Sequence, residues 1–225
     1  MLFNWRNIEK DRGGMKVLSL FDKTANMVKP WAKAGFICYC VDIQHPKGET
    51  REGNIIKIGA DVRDVFSWLS RQIDEIVIAF AFPPCTHLAI SGARWMRQKG
   101  LRALNEAIEL FDVTVKLFEW LGCPYMIENP VSTISTYWRK PDYIFQPWQY
   151  GDLYYKKTCL WTGNGFIMPE PVYDTPSEGT EPKIWKLPPS PDRGDKRSVT
   201  PVNFAKAVFE VNCGVVRRKD RGGMR

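Results

Sequence analysis

The 225-residue chain is 44% hydrophobic with a formal net charge of +7, which excludes a disordered polyelectrolyte and gives material for one large core or two small ones, one domain with an insertion being the simpler count. No apolar run reaches membrane-spanning length. Six cysteines without a CxxC spacing and without a secretory segment ahead of them are read as reduced thiols of a soluble, cytoplasmic protein.

An isoelectric point near 9.1 favours an anionic partner such as nucleic acid, although a basic chain is compatible with much else. The two histidines, His45 and His87, lack zinc-ligand spacing to Cys38 and Cys40, so no metal site is expected.

Residues 1–15 are polar and read as a flexible arm. The first strand starts at Lys16 and ends at Phe21. A turn and helix follow over 22–35, with Met27, Val28, Trp31 and Ala34 at helical spacing and Pro30 in the first turn. The second strand, 36–41, ends in Asp42, which is placed either to accept ribose hydroxyls or simply to be solvated. A third strand over 55–58 leads through Asp61 and Val62 into a short amphipathic helix, 64–73. Alternating strands and helices imply an α/β fold with a mostly parallel central sheet.

The apolar run 76–81 reads as a buried strand, and Pro83 and Pro84 force the backbone out of it into a rigid turn that presents Cys85 at the strand's carboxyl end. A cysteine is more often a small buried hydrophobe than a nucleophile; two prolines directly before this one weigh against that reading. A second strand, 125–130, ends in Glu128-Asn129-Pro130, and a carboxylate at the end of a buried strand is suited to hold and donate a proton. Between them, 91–102 carries Arg94, Arg97, Lys99 and Arg102 with no acid, which reads as a mobile loop closing over phosphates or as a solvated basic surface. Residues 103–121 show the longest helical pattern, with Leu104, Ile108, Phe111, Val115, Phe118 and Leu121 on one face.

Residues 131–196 have little periodicity and read as a small insertion within a domain formed by 16–130 and 197–213. A helix is expected to open at Thr200 with Pro201 in its first position, and 214–225 form a basic, disordered tail.

Pro83-Pro84-Cys85 followed by Glu128-Asn129-Pro130, after Leu18-Ser19-Leu20-Phe21 and before Arg197-Ser198-Val199-Thr200-Pro201, resembles the DNA cytosine-C5 methyltransferases in order and spacing across most of the chain. The resemblance implies a Rossmann-like methyltransferase fold that uses S-adenosylmethionine, or a modified sulfonium relative, on DNA. It implies Cys85 as nucleophile, Glu128 at the base, and Pro84 and Asn129 holding the two turns. It places the cofactor at Phe21, Thr24, Asn26, Asp42, Asp61, Val62, Pro83, Ser198 and Val199. It places nucleic acid at Lys156 and Lys157 within the reduced recognition region 131–196, beside the basic stretch of Arg94, Arg97, Lys99 and Arg102. Two departures stand out: the first turn, Phe21-Asp22-Lys23-Thr24-Ala25-Asn26, lacks the family's glycines, and Tyr155-Lys156-Lys157 stand where the family has arginines. Glycine-free backbone reshapes a pocket, and lysine loses the bidentate fork.

Three readings follow: an active DNA cytosine-C5 methyltransferase of compact phage or bacterial type, a C5-modifying enzyme with another sulfonium cofactor or nucleotide-type substrate, or a silent DNA-binding relative. A Cys85–His87 hydrolase is disfavoured by a spacing of two residues, because hydrolytic pairs meet across a fold.

Overall fold

The computed structural model describes residues 14–69, 76–90, 95–180 and 198–222. Its centre is one eight-stranded mixed sheet, mostly parallel, of order β3-β4-β2-β1-β5-β6-β8-β7. Strands β1 (Lys16–Leu20), β2 (Ile37–Val41), β4 (Ile55–Gly59), β5 (Ile76–Ala81) and β6 (Tyr125–Pro130) run parallel. These are near-continuous apolar runs because both faces are covered. Leu18, Tyr39 and Ala79 face a layer holding Phe111 and Phe118 of helix α3 (Met96–Leu121). Their sequence neighbours Val17, Cys38 and Phe80 face Trp31 of helix α1 (Lys29–Lys33) and Phe204 and Val208 of the C-terminal helix, Val202–Gly222.

The expected strands and the 103–121 helix are present, the latter ended by Gly122 at φ 66°, a left-handed stop suited to glycine. The structure adds a strand that no sequence signal marked and corrects the helix bounds, the 91–102 loop and the disordered tail. The strand β3 (Gly48–Glu52) forms a hairpin with β4 around Gly53 and Asn54; its residues are charged and mostly exposed, so it carries no apolar alternation. Residues 62–69 form a 3-10 turn (Val62–Asp64) and the one-turn α2 (Phe66–Leu69) rather than the first part of one helix; the remainder of that expected helix lies outside the described residues.

Arg97, Lys99 and Arg102 belong to α3 instead of a loop, with a break at Gly100, φ 76° and ψ 175°. The C-terminal helix continues to Gly222, into the expected disordered tail. It begins after Pro201, whose carbonyl accepts from Ala205 N–H at 3.1 Å.

Within 131–196, the short helix α4 (Ile134–Tyr137) is followed by β7 (Tyr143–Phe145) and β8 (Thr158–Gly163), both added antiparallel to the central sheet beside β6. The C-terminal helix is therefore α5. No helix among the described residues is long and apolar enough to cross a membrane.

Candidate functional site

The strand order reverses direction between β1 and β5, so the carboxyl ends of β1, β2, β5 and β6 lie about a topological switch point, the place where open α/β sheets bind ligands. Ala81 of β5 lies opposite Ile127 of β6, the last pair between these two strands; Phe82 follows the end of β5, and Glu128 is the next residue of β6, which stays paired with β8 as far as Pro130. Beyond that last β5–β6 pair, side-chain and backbone bonds join the two segments. Asn129, fully buried, donates from Nδ2 to the Pro83 carbonyl at 3.0 Å. Thr133 N–H donates to the Leu88 carbonyl and Ile90 N–H to the Val131 carbonyl, each at 3.1 Å. The Cys85 carbonyl accepts from Leu88 and Ala89 N–H, and Lys99 Nζ donates to the Thr86 carbonyl at 2.7 Å. Cys85 is thus held, partly exposed, on a turn braced from β6 and from α3.

Glu128 lies low in the site, 13% exposed, with Lys156 Nζ 3.3 Å from its Oε1. Oε1 makes no aligned hydrogen bond among the described residues, so the contact is one of charge at ion-pair distance. A cavity of about 10 Å³ opens here, room for about one water. Phe82 and Glu128 border it from the strand exits, Phe145 from β7, Lys156 and Thr158 from the start of β8, and Thr200, Pro201 and Phe204 from the entrance to α5. Sequence reading missed Phe82, Phe145 and Phe204 as lining residues; nothing local distinguishes them from core aromatics.

The glycine-free first turn keeps a glycine-like backbone: Phe21 and Ala25 adopt φ of 55° and 56°. The Asp22 carboxylate is buried beneath it, accepting from Ser19 Oγ at 2.8 Å, Ala25 N–H at 2.7 Å and Thr24 Oγ1 at 3.3 Å. Burial raises its pKa despite those bonds. The side chain thus turns inward and staples the turn, while Lys23 is exposed. Asn26 donates from Nδ2 to the Thr200 carbonyl at 3.2 Å, which brings the turn to the segment carrying Ser198, exposed, and Val199, half-buried.

Asp42 is buried and caps its own turn through Gln44 N–H at 2.7 Å. Asp61 is held by Arg63, whose Nε and Nη2 donate to the two carboxylate oxygens at 3.0 and 2.6 Å, and these bonds lower its pKa. Val62 is core, 3% exposed. The turns of Phe21, Thr24, Asn26, Asp42 and Pro83 therefore share the carboxyl edge of the sheet, whereas Asp61 and Val62 are engaged in local structure.

Of the basic candidates, Arg97, Arg102 and Lys157 are exposed and Lys99 and Lys156 are bonded as above; Arg94 lies outside the described residues. Arg102 borders a broad groove of about 730 Å³ with Arg63 and Glu109, a different place from the Glu128 cavity. The Nδ1 of His87 is buried without a hydrogen-bond partner among the described residues, whereas a hydrolytic base is oriented through that nitrogen. No family model matches the chain, and no curated protein matches it.

Proposed function

We propose that the chain is a cytosine-C5 methyltransferase acting on DNA, with Cys85 as nucleophile, Glu128 at the base and a Rossmann-like cofactor crevice outside β1 and β2. One observation carries the reading: a cysteine just past β5 and a carboxylate near the carboxyl end of the adjacent parallel strand β6 are joined by the Asn129–Pro83 hydrogen bond. Such bracing holds a nucleophile in register with a proton donor.

C5 of cytosine is a weak nucleophile. The Cys85 thiolate adds to C6 of the flipped base, forming an Sγ–C6 bond, while Glu128 bonds at N3 and stabilises the electron pair displaced into the ring. That pair makes C5 nucleophilic. After methyl transfer the C5 proton leaves to a base, the C5–C6 double bond re-forms and the Sγ–C6 bond breaks. Lys156 faces Glu128 and balances its charge. Pro83 and Pro84 restrict the backbone that carries the nucleophile.

The first turn supports a nucleoside cofactor there: its backbone is left-handed at Phe21 and Ala25, and the Asp22 carboxylate is bonded inward to Ser19 and Ala25 rather than standing in the way. Phe21, Thr24, Asn26 and Asp42 would hold S-adenosylmethionine, which when bound would supply the methyl group. The exposed cations Arg97, Arg102 and Lys157 supply sequence-independent attraction to phosphates.

The test is covalent trapping. Incubation with S-adenosylmethionine and DNA containing 5-fluorocytosine gives a complex that survives denaturation and disappears in Cys85→Ala. Absence of an adduct from a protein that binds the DNA would sink the assignment.

A further inference from the structure

The Glu128 cavity has one wall that belongs to neither strand exit. Thr200, Pro201 and Phe204 close it, and this short segment is gripped from two sides. From the β1 turn, Asn26 holds the Thr200 carbonyl at 3.2 Å. From the chain between β7 and β8, the Asp152 carboxylate accepts from Val202 N–H at 3.1 Å, Asn203 N–H at 3.1 Å and Phe204 N–H at 3.2 Å. These are the orphan donors at the start of α5, satisfied by a residue some fifty positions earlier rather than by a local cap.

Phe204 also stacks on Phe145 with ring centroids 4.1 Å apart and meets Tyr150 edge-on at 5.0 Å. The wall, β7 and the Gln149-Tyr150-Gly151-Asp152 stretch therefore form one packed unit.

A cavity with room for one water does not admit a pyrimidine ring until a wall moves. Phe82 and Glu128 are carried by the sheet, whereas the α5 entrance lies outside it.

Resting on the functional reading above, we infer that Asp152 is a positioning residue for the reaction, which sets the movable wall of the base cavity and thereby couples base admission to occupancy of the β1 turn. Any ligand in that turn acts on Asn26 and Thr200. Any base in the cavity acts on Pro201 and Phe204, one and four residues along the same backbone from Thr200. With Asp152 in place the segment moves as a unit; without it, the helix entrance yields independently of Thr200.

The experiment is a binding cycle. Calorimetry gives the affinity for S-adenosylmethionine in the presence and absence of a duplex carrying a target cytosine, for the wild type, Asp152→Ala and Asp152→Asn. The wild type shows coupling of at least about fivefold, the lower end of ordinary coupling between sites. Asp152→Ala retains each separate affinity within about threefold and its coupling falls below about twofold; asparagine, a good helix cap, restores most of it. If the alanine variant does not fold, Asp152→Glu, which displaces the carboxylate by one methylene, shows the same reduced coupling. Undiminished coupling in Asp152→Ala or Asp152→Glu, or wild-type protein that binds both ligands independently, overturns the inference. A wild type that binds no S-adenosylmethionine overturns the functional reading itself, and this inference with it.

Discussion

Asn129 donates to the carbonyl of Pro83 across 46 residues of sequence, and this single bond joins the exits of the two strands that carry Cys85 and Glu128. Removing the amide leaves the Pro83 carbonyl without that donor in a dry environment. Asn129→Ala is expected to cost about 1–3 kcal/mol of stability, measured by urea unfolding, and to slow Cys85 adduct formation more than the stability loss explains. A variant that is destabilised but traps 5-fluorocytosine at the wild-type rate would show the bond to be structural only.

The Lys156–Glu128 contact has a charge requirement and no fork requirement, because a single ammonium faces one carboxylate oxygen. Lys156→Met is expected to slow adduct formation at least about tenfold, equivalent to ~1.4 kcal/mol, while Lys156→Arg stays within about threefold. Single-turnover trapping rates distinguish these outcomes; equal rates in Lys156→Met and wild type would remove Lys156 from the site.

The thiols divide by environment. Burial raises the pKa of Cys38, Cys40 and Cys159, and Cys123 is buried as well, whereas Cys85 and Cys213 are partly exposed. Because the thiolate is the reactive form, brief alkylation of native protein at pH 8 followed by mass spectrometry should label Cys85 and Cys213 and spare the other four. Labelling of Cys38 or Cys40 at the rate of Cys85 would contradict the packing described.

Asp22 has a carboxyl pKa raised by burial above its ordinary value of 3.8. A raised folded-state pKa means that the folded protein holds this proton more tightly than the unfolded chain. Its stabilising contribution is therefore full below the ordinary carboxyl range and is lost as pH rises through the folded value. Asp22→Asn does not titrate, so the melting temperature of the wild type relative to this variant should fall from pH 3.5 towards neutrality. A difference that rises with pH instead would mean that the hydrogen bonds from Ser19, Thr24 and Ala25 outweigh burial.

Much of the site's frame is local in origin and legible along the chain. Apolar runs bounded by prolines determine β5 and β6 and put Cys85 just past the end of β5 and Glu128 near the carboxyl end of β6. The helical spacing of Leu104 through Leu121 determines the helix over 103–121, and Gly122 its stop. What the tertiary structure alone decided is long-range. A charged edge strand such as Gly48–Glu52 has no buried face and so no period to read. The antiparallel addition of β7 and β8 depends on pairing with β6. The Asn26–Thr200 bond, the Lys156–Glu128 contact and the Asp152 cap on α5 arise only when the sheet brings distant turns to one edge, since a side chain's partner is then set by strand order and register rather than by its neighbours in sequence.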